Sequence, residues 1–486
     1  MATEHYKPGA VVVENLTLTN FDGSKSQSLE QYVTELNIYE DIFQCQIMGD
    51  ITIKDTAEII EFFPIVGEEI LSIQFRVCGR EEGDNIDFGD MRVYKIGDRA
   101  SSGKDLGKVQ TYKLYFFSPE FITSLNTKVS RSFNTKTASD IARIIIDDYF
   151  NTDKTLEIEE TVGTLKTVFP NWSPFKIVSW LASARAINKD KHSDFLFFEC
   201  SDTSNGPKYS FSSLNTLMKQ EPIFEMTFAP QNMNTASGDN DVSTEHKNLK
   251  EFSFDNHGSV LDNTMKGQYN QSWLYVDPLR KKFVIANPNH DEDYISATAD
   301  STPSGNKFYG ATVAKQSAPA QFFRMPGGIN AFPSTISPTK SFGNTEKGLE
   351  AKPLRKDVAY IAKREKPDEL ESNAMIADQA HMRIFKFQQM NNFKLSVDTI
   401  PGTDEIQLAQ MVTFNKPHVS FDNEQVSNKS GRFDDRFVSG NYLVTRLKHY
   451  IRFEEGKPEH FYTMSLELIK DTFAEEVSNK DLTGAR

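Results

Sequence analysis

Two short segments, Met91-Arg-Val-Tyr-Lys-Ile96 and Thr111-Tyr-Lys-Leu-Tyr-Phe-Phe117, decide the fold of this chain. In each segment apolar and polar residues alternate, which is the pattern of a half-buried β-strand. The polar residues from Gly97 to Gly107 that separate the segments are typical of a hairpin loop. The sequence therefore predicts an antiparallel hairpin.

The same pattern returns near the end of the chain. Tyr442-Leu-Val-Thr-Arg-Leu447 matches the first segment, and Phe461-Tyr-Thr-Met-Ser-Leu466 matches Thr111 to Phe116, at the same separation to within one residue. Residues 35–55 and 250–277 also share an order of strand, polar turn, glycine and strand. A chance coincidence of two alternating hairpins is the other explanation. We predict a duplicated β-barrel whose second copy is interrupted by an insertion.

Two further segments carry strand signals. Residues 43–54 alternate as a strand, and Gly49-Asp50 within them predicts a bulge or a tight bend. Phe195 to Phe198 and Tyr209 to Phe211 flank Asn205-Gly206-Pro207, which predicts strand, turn and strand.

Two helices are predicted between the barrel copies. Thr137 with Asp140 three residues later predicts the capped start of a helix over 137–150. Ser173 and Pro174 predict the cap and the first position of a second helix. Its expected buried residues are Phe175, Val178, Leu181 and Ala182.

These elements predict an α+β, multi-domain protein with two similar antiparallel, tube-like β-barrels, a small α+β domain and a long loop-rich insertion. The insertion is rich in Ser, Thr, Pro, Gly and Asn, and a helix is expected after it, over 368–391. The predicted boundaries are 1–122 for the first barrel, 123–222 for the α+β domain, 223–286 for the first part of the second barrel, 287–367 for the insertion, 368–475 for the remainder of the second barrel and 476–486 for a tail.

Composition excludes several classes of function. The 486 residues include 54 Lys and Arg against 68 Asp and Glu, a net charge of -14. Gripping a phosphate backbone needs clustered Lys and Arg, so we expect no sequence-specific nucleic-acid binding. Three cysteines, Cys45, Cys78 and Cys200, are too few for a disulfide framework. We expect a soluble protein of a reducing compartment, with no signal peptide and no membrane insertion.

No residue pattern predicts a catalytic, cofactor or metal site. No two of the nine histidines lie within four residues of each other, which argues against a helical metal site. Gly97 to Asp105 imitates a phosphate loop with the wrong spacing, and Ser101-Ser-Gly-Lys104 lacks the helical context of an acylating serine. Adjacent carboxylates such as Glu68-Glu69 and Asp434-Asp435 point to opposite faces of a strand. We therefore predict that the protein is not an enzyme.

Three stretches of sequence carry a resemblance to a known family. They are IMGDITIKDTAEIIEFFPIVGEEI at 47–70, FPNWSPFKIVSWLA at 169–182, and the run from Ala377 through Pro401-Gly402 to a closing hairpin near Phe473. With the repeat and the helix cap, the chain resembles the baseplate hub protein of contractile-tailed phages. The same fold forms the hub part of the VgrG spike protein in type VI secretion. In the third stretch Gln410 stands where a turn glycine is expected.

The resemblance implies a structural protein of the virion tail baseplate that is assembled in the host cytoplasm. It implies a homotrimeric, pseudo-hexameric ring around the DNA channel, joining the trimeric central spike, with or without a lysozyme, to the hexameric tail tube or its initiator protein. Baseplate wedge proteins are further candidate partners. A duplicated barrel fits this role, because a trimer then presents six similar units. An acidic channel wall would let DNA slide without sticking, unless the acidity only keeps the protein soluble.

Two alternatives stay open at this point. A cell-wall polysaccharide-degrading tail enzyme would draw its carboxylates from separate strands that sequence cannot locate. A carbohydrate-binding module would stack sugars on Trp172, Trp180 or Trp273, although the positions of the first two favour core packing.

Overall fold

A computed structural model describes part of the chain. It comprises residues 9–63, 65–78, 85–101, 109–190, 192–202, 206–228, 247–256, 261, 265–268, 271–277, 282–286, 320–324, 382–388, 390, 393–416, 435, 438–454, 456–457 and 459–471. None of the helices found there has the length and apolar character that a membrane span requires.

The described elements are mostly β-strands with a few short helices. The strands are β1 (Ala10–Thr19), β2 (Ser26–Ser28), β3 (Val33–Asp41), β4 (Met48–Asp55), β5 (Ile70–Val77), β6 (Ile86–Ser101), β7 (Gln110–Phe117), β8 (Val129–Lys136), β9 (Thr155–Ile158), β10 (Leu165–Trp172), β11 (Phe195–Cys200), β12 (Lys208–Ser213), β13 (Phe224–Phe228), β14 (Asn248–Leu249), β15 (Ser253–Asn256), β16 (Gln271–Asp277), β17 (Lys282–Ala286), β18 (Ala320–Arg324), β19 (Lys394–Pro401), β20 (Met411–Asn415), β21 (Gly440–Arg452) and β22 (His460–Ile469). The helices are α1 (Ile59–Phe62), α2 (Pro119–Asn126), α3 (Ala138–Tyr149), α4 (Pro174–Ala184) and α5 (Leu214–Met218). Residues 382–388 are also helical.

Fourteen strands share one sheet. Its order is β14-β13-β20-β21-β3-β4-β7-β6-β5-β1-β22-β19-β15, with β2 beside β1 and a further pairing between β21 and β22. The prediction that paired β-strands make up most of the protein is confirmed.

The predicted repeat of two hairpins is confirmed by their hydrogen-bonded registers. In both β6–β7 and β21–β22, two residue pairs precede a bulge and further pairs follow it. The bulge falls at Tyr94 in one hairpin and at the matching Thr445 in the other. Corresponding pairs are Arg92–Phe117 with Leu443–Ile469, Val93–Phe116 with Val444–Leu468, Lys95–Tyr115 with Arg446–Glu467, and Ile96–Leu114 with Leu447–Leu466.

One half of the predicted alignment was wrong by two residues. The sequence pattern matched Phe116 to Leu466, whereas the registers match Phe116 to Leu468. A shift of two residues leaves the inward and outward alternation of a strand unchanged, so the hydrophobic pattern cannot detect it.

The correspondence extends beyond the hairpins to four strands. The first strand set lies in the order β4-β7-β6-β5 and the second in the order β19-β22-β21-β20, with every neighbour antiparallel. Even a single backbone bond is repeated. Val93 N–H donates to the Glu69 carbonyl at 2.9 Å, and Val444 N–H donates to the Gln410 carbonyl at 3.0 Å. The left-handed residue of that second turn is Ala409, with φ of 63°, and not Gln410.

The β21–β22 hairpin connects the two strand sets. β21 pairs with β20 through residues 440–443 and with β3 through residues 446–452. β22 pairs with β19 along most of its length and with β1 at residues 460 and 461. One continuous path of strands therefore runs through both sets.

A second hydrophobic core lies among residues 129–211, packed between α3, α4 and short strands. The predicted capping box at Thr137 and Asp140 is present, with both side chains bonded. Pro174 opens α4 as predicted, and the predicted buried stripe of that helix is buried. Ser173 is the N-cap residue as predicted, and its side chain makes no capping hydrogen bond.

Gly49 does not mark a bend. It lies inside the continuous strand β4, opposite Ile38 on one side and Phe116 on the other. A Cβ atom at Gly49 would overlap the Phe116 ring and the Asn37 carbonyl. Glycine is required here because the neighbouring strands pack too closely for a side chain. In sequence, such a glycine cannot be distinguished from one that marks a turn.

Much of the predicted insertion, 287–367, lies outside the described residues. Within it, 320–324 form β18, which pairs with β16 in a sheet with β17. The helix expected over 368–391 is described at 382–388 and 390, where it is helical. The tail at 476–486 lies outside the described residues.

Candidate functional site

A buried network holds the β21–β22 hairpin to β3 and to Ser201. The Tyr462 hydroxyl lies 2.7 Å from Nδ1 of His449, and Nε2 of His449 lies 2.9 Å from Oε1 of Glu40. Ser201 donates to Glu40 through its hydroxyl at 2.6 Å and its backbone N–H at 3.0 Å. The two ring nitrogens of His449 therefore face different partners, Nε2 the Glu40 carboxylate and Nδ1 the Tyr462 hydroxyl. β3, β21 and β22 are thereby fixed to each other.

A second buried cluster joins the first strand set to the core at 129–211. Nζ of Lys154 lies 2.7 Å from Glu120 and 2.6 Å from Glu199. Glu199, in β11, also accepts from the Ile47 N–H at 3.0 Å and the Ser118 hydroxyl at 2.5 Å. Ile47 immediately precedes β4 and Ser118 follows β7. The carboxylate of Glu199 therefore links the ends of two sheet strands to the neighbouring core.

The charges of this cluster depend on one another. Burial raises the pKa of Glu199, as does the charge of Glu120, while Lys154 opposes both. Burial alone would lower the pKa of Lys154, but the carboxylates of Glu199 and Glu120 raise it above its ordinary value. Lys154 therefore stays charged between the two carboxylates.

A third buried pair anchors the helical segment 382–388. Nζ of Lys386 lies 2.8 Å from Asp194, and both side chains are almost fully buried. Burial alone would raise the pKa of Asp194, but the charge of Lys386 holds it below its ordinary value. Arg383 donates to the carbonyl of Phe195 at 2.7 Å. The helix that leads into β19 is thus attached to the start of β11.

The polar groups of these three clusters bind one another inside the protein. In the three clusters, Glu40 is bonded to a histidine, Asp194 to a lysine, and Glu199 to a lysine and a backbone N–H group. Within the described residues, no three His, Cys, Asp or Glu side chains are grouped so that they could hold a metal ion. A shallow depression of about 480 Å³ beside Tyr32, Ile59 and Phe63 is lined by neither carboxylates nor histidines.

The motifs weighed in the sequence have structural roles where they are described. Glu69 is buried and accepts from the N–H groups of Val66, Gly67 and Glu68, so it holds a turn. Ser101 ends β6, and Lys104 lies outside the described residues. Asp434 also lies outside the described residues.

The tryptophans that are described support core packing. Trp172 and Trp180 lie 5.7 Å apart between ring centres, and both pack against Phe169. Both belong to the margin of the second core, as predicted. The side chain of Trp273 lies outside the described part of the structure.

Sequence reasoning missed the buried histidine. His449 lies two residues from Leu447 and from Ile451, and all three are buried. Strand alternation places residues at this spacing on one face, so the pattern Leu-Lys-His-Tyr-Ile was a usable signal. Its partner Glu40 lies 409 residues away, and no local pattern identifies it.

Comparison with solved structures shows which proteins share this fold. The chain shares its fold with the tail protein from Neisseria meningitidis, at a TM-score of 0.50 and 9% identity, covering 96% of this chain and 97% of that one. The predicted resemblance is confirmed at the level of the fold.

Two further solved structures are similar over most of their length. A 43 kDa prophage tail protein from Shewanella oneidensis has a TM-score of 0.48 and 10% identity, with 94% of this chain and 98% of that one covered. An E. coli component of the type VI secretion system has a TM-score of 0.41 and 8% identity, with 96% and 79% covered. No protein-family model matches the sequence, and no curated protein matches it significantly.

Proposed function

We propose that this chain is a structural baseplate hub of a phage tail. It forms a homotrimeric, pseudo-hexameric ring that joins the trimeric central spike to the hexameric tail tube and surrounds the DNA channel. One observation carries the proposal: the two strand sets share strand order and antiparallel orientation, and their hairpins share a register and a bulge at Tyr94 and Thr445. Supporting it, the chain has the fold of a known tail protein.

The duplication suits a symmetry adaptor. A threefold ring of chains with two like units presents six similar surfaces, so one face can meet a threefold partner and the other a sixfold partner. In this proposal the first unit is the barrel at 1–122, and the second is the barrel assembled from 223–286 and 368–475. The α+β domain at 123–222 and the insertion at 287–367 lie outside the ring or on its spike side.

The partners and location follow from this role. The spike, which can carry a lysozyme, and the tube or its initiator protein are the expected partners, with baseplate wedge proteins beyond them. The place of action is the virion tail, after assembly in the host cytoplasm. The net charge of -14 supports a channel wall that repels DNA and lets it slide.

The test is the mass and symmetry of the assembly. Native mass spectrometry of the purified chain should give three times the chain mass of 55.1 kDa, and with the trimeric spike protein it should give that mass plus three spike chains. Averaged electron micrographs should show a ring with six similar lobes. A chain that stays monomeric with its spike, or that cleaves peptidoglycan as a monomer, would refute the proposal.

A further inference from the structure

Large apolar side chains are exposed at one corner of the first strand set. β1 ends beside the start of β5, since Thr19 pairs with Ile70. The loop that follows β1, residues 20–25, and the segment that precedes β5, residues 56–69, therefore lie at the same end of these strands. We call these two segments the β1–β5 corner. The depression of about 480 Å³ is lined by residues of both segments.

The apolar residues of this corner are unusually exposed for their size. Phe21 is 64% exposed, Phe62 is 74% exposed and Val66 is 66% exposed. Single exposed apolar residues are ordinary on a protein surface, but a group of large ones marks an interaction site. The depression is itself partly apolar, because the buried side chains of Ile59 and Phe63 line it.

Two buried carboxylates hold the longer segment of the corner in place. Asp55 accepts hydrogen bonds from three backbone N–H groups of residues 57–60, at 2.9 to 3.2 Å. Glu69 accepts from the three N–H groups of residues 66–68, at 2.6 to 3.1 Å. The segment is thus anchored on both sides of Phe62. Because Phe62 is presented on a fixed backbone, a partner that covers it has little chain entropy to overcome.

The second strand set is built differently at the matching place. Residues 56–69 join β4 to β5, whereas the shorter segment 402–410 joins their counterparts β19 and β20. The apolar residues of the shorter segment, Ile406, Leu408 and Ala409, are all buried. The neighbouring strands differ too, since β1 lies antiparallel beside β5 and β13 lies parallel beside β20. Within the described residues, the β1–β5 corner therefore occurs once per chain.

A feature that occurs once per chain occurs three times in a homotrimer. The two strand sets give the ring six similar units, but the β1–β5 corner marks only every second unit. A sixfold partner at these corners would meet two kinds of surface, whereas a threefold partner would meet three identical ones. The symmetry of the corner therefore suits the trimeric spike and not the hexameric tube.

Charge describes the partner further. The corner has four exposed carboxylates, those of Asp22, Glu58, Glu61 and Glu68, and its two segments contain one basic residue, Lys25. Charge complementarity at interfaces predicts a partner surface that presents an apolar side chain flanked by Lys and Arg. Attraction between such exposed charges weakens as the salt concentration rises.

We propose that the β1–β5 corner is the surface on which the trimeric spike docks. An apolar side chain of the spike fills the depression beside Phe62, and basic side chains of the spike meet the carboxylates around it. The proposal rests on the proposed function and names the surface through which one of the proposed partners binds.

Two variants and one matched control test the docking. Phe62→Asp places a carboxylate at the centre of the corner, at a position exposed enough for the fold to tolerate it. Glu61→Lys reverses a charge beside it. Val168→Asp makes the same change as the first variant at a 67% exposed apolar residue of β10, outside the corner. Thermal unfolding checks that each variant is folded.

Binding is measured by biolayer interferometry, with the purified trimeric spike protein and the purified tube protein of the same tail as separate partners. We expect Phe62→Asp to raise the dissociation constant for the spike at least about tenfold and Glu61→Lys to raise it about threefold. Val168→Asp should leave it unchanged. Tube binding and the trimer mass should stay the same in all three variants.

A second measurement does not depend on any variant. Hydrogen exchange of the wild-type chain should show peptides that span residues 57–63 gaining protection when the spike is added. Unchanged spike binding by folded Phe62→Asp, or unchanged exchange at these residues, would overturn this contact and leave the hub proposal intact. So would a Phe62→Asp variant that loses the trimer or the tube and keeps the spike. A wild-type chain that forms neither a trimer nor a spike complex would instead overturn the hub proposal itself.

Discussion

Replacing Lys154 by methionine should show how much the buried cluster holds the fold together. The change removes the cation that lies 2.6 Å from Glu199 and 2.7 Å from Glu120, whose side chains are 0% and 5% exposed. Breaking a buried ion pair from one side costs about 3–5 kcal/mol, because a charge stays buried without compensation. We expect Lys154→Met to lower the free energy of unfolding by that amount near neutral pH.

The assay can follow the core that the cluster supports. Trp172 and Trp180 pack at its margin, so their fluorescence during urea unfolding reports its stability. Lys189→Met is the matched control, since Lys189 and Glu160 lie 3.4 Å apart and are 76% and 79% exposed. The loss there should stay below about 1 kcal/mol.

The pH dependence gives the sharper test. Burial already raises the pKa of Glu199 in the folded protein, and loss of Lys154 raises it further. A group with a raised folded pKa favours folding below that pKa and disfavours it above, so the deficit of Lys154→Met should shrink as pH falls from about 8 to about 5. A loss below about 1 kcal/mol, or one that does not shrink in acid, would refute the reasoning.

Three further changes test other parts of the structure. Gly49→Ala should destabilise the protein by about 1–3 kcal/mol, measured by urea unfolding, because the new Cβ overlaps the Phe116 ring. Tyr462→Phe should cost about 1–2 kcal/mol in the same assay, because Nδ1 of His449 loses its buried hydrogen-bond partner at 2.7 Å. Burial lowers the pKa of Lys470 to about 7 from its ordinary 10.5, so the unfolded chain binds a proton that the folded chain releases between these values. Stability should therefore rise with pH from about 7 to about 10, by up to about 1.4 kcal/mol per pH unit, and Lys470→Met should flatten that rise.

Each of these has an internal check. The double variant with Phe116→Leu should recover part of the Gly49→Ala loss, and additive losses would show that the overlap is not the cause. Tyr450→Phe removes a hydroxyl 3.4 Å from Glu35 at a partly exposed site and should cost much less than Tyr462→Phe. A pH profile of Lys470→Met that is parallel to the wild type would contradict the assignment of that rise to Lys470.

The predictions from sequence that succeeded depend on residues close to one another in the chain. The cap at Thr137, the proline that opens α4 and the β6–β7 hairpin are each specified by residues a few positions apart. The repeat was found because both hairpins carry a bulge at matching positions and therefore share one hydrophobic pattern. Its alignment failed by two residues because the alternation of a strand has a period of two.

What sequence could not supply was the identity of distant neighbours. The pairing of β21 with β3 joins segments from opposite ends of the chain, and both have ordinary strand patterns. Similarly, Lys154 lies in a polar stretch before β9 and gives no sign of its two buried carboxylate partners. Gly49 carried a turn signal although packing is its function. The roles of these residues depend on burial and on contacts with segments distant in sequence, and the neighbouring sequence shows neither.

The pairing of β3 with β21 has a consequence for biosynthesis. Asp41 is synthesised 405 residues before its partner Arg446, so β3 cannot pair with β21 until Arg446 has been made. At ordinary ribosomal speeds of about 5–20 residues per second, that delay is roughly 20 to 80 seconds. During translation the nascent N-terminal half therefore presents a bare strand flank to the cytosol, and a polypeptide that terminates early would keep it permanently.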